Sequence, residues 1–182
     1  MNELNDIVHA LSLLHDLEGV AFIRQLKVIT ERREFKPLAT NPQILTTGGM
    51  SSEDYMAQLS VALQAVEHGY TVYILPNPQG IRTADFIFVR KGIYRMFDLK
   101  TIIGQNSVSN RLKESLGQTN RVLLNLRCDY NVRRLTSEVR HYFEMSNDVQ
   151  EVLLFRGKKG ISIKRNIALS RGFLQMMMNS FR

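Results

Sequence analysis

Ala84-Asp85-Phe86-Ile87-Phe88-Val89, followed by Met96-Phe97-Asp98-Leu99-Lys100, places two acids and a lysine at the ends of two neighbouring strand-like runs. Side chains alternate along a strand, so Asp98 and Lys100 share one side while Leu99 points to the other. Arg90-Lys91-Gly92 between the runs reads as a hairpin turn whose glycine can take positive φ. The two strands are therefore expected to be antiparallel neighbours, with Asp85 near the start of one roughly opposite Asp98 near the end of the other. Carboxylates so placed supply oxygen ligands for Mg²⁺ or Mn²⁺, with the Leu99 carbonyl, water and a substrate phosphate completing an octahedral shell. Such a cation lowers the pKa of a bound water and polarises a phosphorus centre. Lys100 would orient that water or stabilise developing negative charge. Acids also end strands merely to meet solvent, and an Asp-x-Lys triplet arises by chance. Here, however, Asp98 and Lys100 follow an apolar run and Asp85 precedes one, and an acid against core strands costs desolvation unless something pairs with it.

Length and charge narrow the partner. A chain of 182 residues with 44% apolar content can bury an ordinary globular core. The formal charge of +7, from 24 basic against 17 acidic residues, favours an anionic partner such as nucleic acid, or marks a simple basic surface. No apolar run reaches the length of a bilayer span and Met-Asn-Glu-Leu-Asn-Asp is no signal segment, so a cytoplasmic chain without membrane contact is expected. Cys128 is the lone cysteine and cannot form an internal disulfide. His9, His15, His68 and His141 lack metal-ligand spacing, so any metal would be held by oxygen.

Residues 4 to 16, with Leu4, Ile7, Val8, Leu11 and Leu14, and residues 20 to 31, with Val20, Ile23 and Leu26, read as a helical hairpin, a separate layer or a partner-binding arm. Residues 35 to 50 carry Pro37, Pro42, Gly48 and Gly49 and read as a connector, with Gln43 to Leu45 a short extended piece. A third helix is expected from Ser51, which caps it with Asp54, through a stripe of Met56, Leu59, Leu63 and Val66 to Gly69. Glu53, at the edge of that stripe, is a candidate third oxygen ligand, although an acid in a first turn is favourable through the helix dipole alone. Gln58 and Glu67 are weaker candidates on the same helix. Tyr70 to Leu75 is the next strand, and Pro76-Asn77-Pro78-Gln79-Gly80 turns the chain toward Asp85.

Beyond Gly104-Gln105-Asn106-Ser107, a helix over 108 to 118 leads to the strand Arg121 to Leu126, which such a crossover makes parallel to a neighbour. Gln118 and Lys113 on that helix are candidates for contact with phosphate or water, and equally for a solvated face. Leu135, Val139, Tyr142 and Phe143 mark a helix, Glu151 to Phe155 a strand, and Gly157-Lys158-Lys159-Gly160 a hairpin turn into Ile161 to Arg165. Arg121, Lys158, Lys159 and Lys164, with Lys113, are the candidate contacts to a polynucleotide backbone, joined by Arg133-Arg134 and Arg165. Leu174-Gln175-Met176-Met177-Met178 is read as a docking helix, a dimer contact or a frayed tail.

Asp85 and Asp98-Leu99-Lys100, preceded by a helix carrying Glu53 and followed by a crossover helix and strand, resemble the PD-(D/E)XK phosphodiesterase superfamily, the restriction-endonuclease-like fold. Over residues 52 to 125, Gly69-Tyr70, Asp85, Asp98-x-Lys100 and Gln118 are most similar to the C-terminal nuclease domains of contact-dependent growth-inhibition toxins. Ala84 stands where that pattern often has proline, and Asp98 where glutamate is more frequent. The resemblance implies an α/β fold with a mixed central sheet flanked by helices, with 51–182 the nuclease-like domain; residues 1–50, read from their own periodicity as an N-terminal helical hairpin and connector, lie outside it. It implies a Mg²⁺- or Mn²⁺-dependent endonuclease cutting DNA or RNA, tRNA included. Asp85, Asp98 and Leu99 would ligate the metal, Lys100 would act on water, and Glu53 and Gln118 would help. The alternative is a non-catalytic nucleic-acid-binding module of a mobile-element or DNA-processing complex. A protein partner or self-association would use residues 1–50 or the C-terminal tail.

Overall fold

A computed structural model describes residues 3–48, 53–76, 83–104 and 108–181, with the backbone alone for residues 3, 4, 15 and 16. The expected cap at Ser51, the turn over 77 to 80 and the loop over 105 to 107 lie outside the described residues. The chain is an α/β fold of mixed strand pairing with helices against the strands and an N-terminal helical extension. It divides into two compact units, Met1–Phe97 and Asp98–Arg182.

In the first unit α1 (Glu3–Ser12), a 3₁₀ turn (Leu13–Asp16) and α2 (Gly19–Thr30) precede β1 (Lys36–Leu38) and β2 (Asn41–Thr46). Ile7, Leu11 and Leu14 recur at helical spacing and bury with Leu26, Ile29 and Phe35 against Leu75, Ala84, Ile87 and Met96. The N-terminal helices thus share a core with the later strands of this unit. Residues 36 to 46 form an antiparallel hairpin rather than a connector. Its register slips between Pro37 and Leu38, and Pro42 sits in the irregular stretch, where a missing N–H costs no regular ladder bond.

The helix α3 (Glu53–Glu67) crosses from β2 to β3 (Thr71–Ile74), which pairs parallel with β2. Its end is a left-handed glycine cap: Gly69 has φ 80°, and the Tyr70 N–H donates to the Ala65 carbonyl at 3.1 Å. β4 (Phe86–Arg90) runs antiparallel to β3 and to the first half of β5 (Ile93–Ile102). Lys91 and Gly92 make the two-residue turn expected between them, with φ 51° and 72°, the pattern of a type I′ hairpin. Phe86 pairs with Phe97, and the Asp85 N–H extends the ladder by donating to the Phe97 carbonyl at 3.0 Å. Tyr70, Phe86, Phe88 and Phe97 stack in tilted contacts, with centroids 5.1 to 5.3 Å apart, on one face of these strands.

The second unit begins with the other half of β5, from Asp98 to Ile102, which pairs parallel with β6 (Arg121–Leu126) through α4 (Val108–Glu114). α5 (Val132–Met145), capped by the Asn131 side chain, carries the chain to β7 (Glu151–Arg156), parallel to β6, and β8 (Lys159–Lys164) returns antiparallel. Val122, Leu124, Val152, Leu154 and Ile163 form one strand face, buried beneath Val108 and Leu112 of α4, Leu135, Val139, Tyr142 and Phe143 of α5, and Phe173 and Met177. A four-residue helix α6 (Arg165–Ala168) precedes α7 (Phe173–Ser180). The C-terminal segment is therefore a docked helix, since Phe173 and Met177 are fully buried.

Candidate active site

Alternation along β5 does what the triplet requires. Asp98 aligns across the strands with Val122, and Lys100 with Leu124, so both project on the face that α4 and α5 cover. Asp98 is 3% exposed and Lys100 half-buried, its ammonium 3.0 Å from Asp98 Oδ2. The Ser115 hydroxyl donates to the same oxygen at 2.8 Å. A carboxylate nearly removed from water is tolerated because a cation and a hydroxyl meet it together. Among the described residues, no side chain donates to its other oxygen. Ser115 itself is fully buried, in the turn just past α4.

In the first unit Asp85 is 9% exposed, and Gln58 Nε2 donates to its Oδ1 at 2.9 Å. This pair exposes a correction to the helix face. The buried face of α3 is Gln58, Val61, Ala62 and Ala65, spaced i, i+3, i+4 and i+7, whereas Met56 is 63% exposed and Leu63 is exposed too. The alanines let the helix approach closely, which larger side chains would prevent. Glu53 lies five residues before Gln58, roughly 140° around the helix, and is exposed. Glu67 is exposed as well.

Other expected residues separate by partner. Gln118 lies beyond α4, which stops at Glu114 rather than continuing to 118, and its amide donates to the Glu114 carbonyl at 3.0 Å. Arg121 reaches Glu151, 2% exposed, at 3.5 Å, and Ser162 donates to the other oxygen of Glu151 at 2.6 Å. Arg165 donates to the Ser146 carbonyl and the Asn147 side chain. Lys113, Lys158, Lys159 and Lys164 are exposed, and Lys164 lines an open cavity of about 490 Å³ with Asn147, Gln150 and Asn166.

The donor set bears on a metal. Aspartate oxygens are hard ligands suited to Mg²⁺ or Mn²⁺, and the Asp98 oxygen to which no described side chain donates is chemically fit to be one of them. Among the described residues no three His, Cys, Asp or Glu side chains gather as a metal-holding group. Any such ion would draw the rest of its shell from backbone, water or substrate.

No protein-family model and no curated protein matches the chain. Among solved structures, a chain of the CdiA-CT/CdiI toxin and immunity complex from Burkholderia pseudomallei aligns with a TM-score of 0.41 and 14% identity, over 64% of this chain and 92% of that one. Among the described residues, no helix is long and apolar enough to cross a membrane.

Proposed function

We propose that the protein is a Mg²⁺- or Mn²⁺-dependent endonuclease that hydrolyses phosphodiester bonds of DNA or RNA. The observation supporting this most strongly is the buried Asp98–Lys100 pair, held by Ser115 on the strand that the α4 crossover joins to β6. A structural ion pair in a core is seldom worth its desolvation, so a pair buried to this degree supports a role beyond stability. Asp98 and the Leu99 carbonyl would hold the cation, and Asp85 is the other acid of the sequence pattern. When bound, the cation supplies Lewis acidity and a water of lowered pKa. Lys100, held by Asp98, presents a positive charge for the attacking water or the phosphate oxygens. Ser115 fixes the carboxylate that anchors it, and Gln58 fixes Asp85. Glu53 and Gln118 would act, if at all, from the periphery. Lys113, Lys158, Lys159 and Lys164 would grip the polynucleotide without reading its sequence.

The test is incubation of the purified protein and its K100A variant with total RNA, plasmid and single-stranded DNA, in Mg²⁺, in Mn²⁺ and in EDTA. Metal-dependent cleavage that K100A lacks is the expected result. Binding of the same substrates with no cleavage in any lane would make the chain a non-catalytic binding module instead.

A further inference from the structure

We infer that Tyr142 is a positioning residue of the Asp98 site, its phenolic hydroxyl donating across one bound water to the carboxylate oxygen that Lys100 and Ser115 leave uncovered. Tyr142 is 1% exposed, and its hydroxyl is buried without a hydrogen-bond partner among the described residues. Buried phenols normally find one, and an orphaned donor is disfavoured relative to the phenylalanine that packs equally well. Phe143, the next residue, shows that this helix accepts such a ring in full burial.

Placement identifies the acceptor. Tyr142 belongs to the cluster that contains Val122, the cross-strand partner of Asp98, and Leu112, one turn before Ser115. Asp98 projects on that same face, carrying one oxygen with two donors and one with none among the described residues. Burial pushes the Tyr142 phenol upward, and the Asp98 charge pushes it the same way, so hydroxyl and carboxylate lie within electrostatic reach. A single water between them would find two of the partners it needs. Outer-sphere donors of this kind orient carboxylate ligands, and their loss typically weakens metal binding.

The claim about metal rests on the proposed nuclease reading; the claim about hydrogen bonding does not. The full-length wild type, Y142F and Y130F are titrated with Mn²⁺ by electron paramagnetic resonance, and the Asp98 side-chain carboxyl ¹³C resonance is recorded without metal. Y130F is the control because Tyr130 is also buried and its hydroxyl donates elsewhere, to Glu138 at 2.7 Å. Y142F is expected to weaken Mn²⁺ binding about ten-fold and to move the Asp98 resonance, while Y130F does neither. An unmoved resonance in Y142F overturns the inference, as does undiminished affinity in a protein that binds Mn²⁺. Failure of the wild type to bind Mn²⁺ counts against the nuclease reading alone, and the metal-free resonance then decides the role of Tyr142.

Discussion

Lys100 Nζ stands 3.0 Å from Asp98 Oδ2, with the two side chains 15% and 4% exposed, so each is the other's replacement for water. Surface pairs of this type contribute little, but removing one partner from a buried pair strands the other charge. K100M is expected to cost about 3 kcal/mol of stability. D98N/K100M should recover part of that, because no stranded anion remains. Urea denaturation of the two variants and the wild type measures both. A K100M cost below that of an ordinary surface substitution would show that solvent, not Lys100, satisfies Asp98.

Much of this arrangement was legible from residue order. The alternation of Asp98, Leu99 and Lys100 and the Lys91-Gly92 turn fixed the β4–β5 hairpin, because both are local constraints that tertiary packing does not override. Ser115 belongs to no catalytic motif, and only the repeat of Val108, Leu112 and Ser115 at i, i+4 and i+7, which places a hydroxyl on a buried face, marks it in the sequence. On α3 the large apolar residues pointed to the wrong stripe. Small side chains can mark the face of close approach, and Gln58 is buried there because it has Asp85 to bond, a partner 27 residues away that no local pattern reveals. The β1–β2 hairpin was hidden by Pro37 and Pro42, residues that argue against a strand unless the ladder is locally irregular.

Gln58 and Glu53 therefore make opposite predictions. Q58L leaves the buried Asp85 carboxylate without its amide donor and is expected to cost about 1–3 kcal/mol, whereas E53A on the exposed side of α3 should stay within about 0.5 kcal/mol of wild type. If the nuclease reading holds, Q58L should also reduce cleavage more than E53A does. Equal stability and activity of the two variants would return Glu53 to consideration as the functional residue of α3.

The basic residues divide by the company they keep. Arg121 neutralises Glu151, an acid 2% exposed, so R121A is expected to lower stability by removing that partner. Lys113, Lys158 and Lys164 project into solvent, and K113E/K158E/K164E should leave the melting temperature nearly unchanged while weakening polynucleotide binding. For duplex DNA each lost phosphate contact reduces the slope of log affinity against log salt by about 0.9. A slope unchanged in the triple variant would place the nucleic-acid surface elsewhere.

Tyr130 sets an alkaline limit on the second unit. Its hydroxyl donates to Glu138 at 2.7 Å, and burial first, with the Glu138 acceptor second, raises the phenol from 10.0 to about 12. A folded-state value above the unfolded one means that the native chain holds the proton more tightly. The resulting stabilisation is complete below about pH 10 and is lost as pH rises toward 12, a change of about 2–3 kcal/mol for a shift of this size. Burial of Tyr142 acts in the same direction. Y130F should be about 1 kcal/mol less stable than wild type at pH 8, for want of the hydrogen bond. Its stability should then fall less steeply between pH 10 and 12, so the two curves converge or cross. Urea midpoints across that range, with tyrosinate absorbance followed in parallel, test this directly; curves that stay parallel would mean that Tyr130 ionises as readily folded as unfolded.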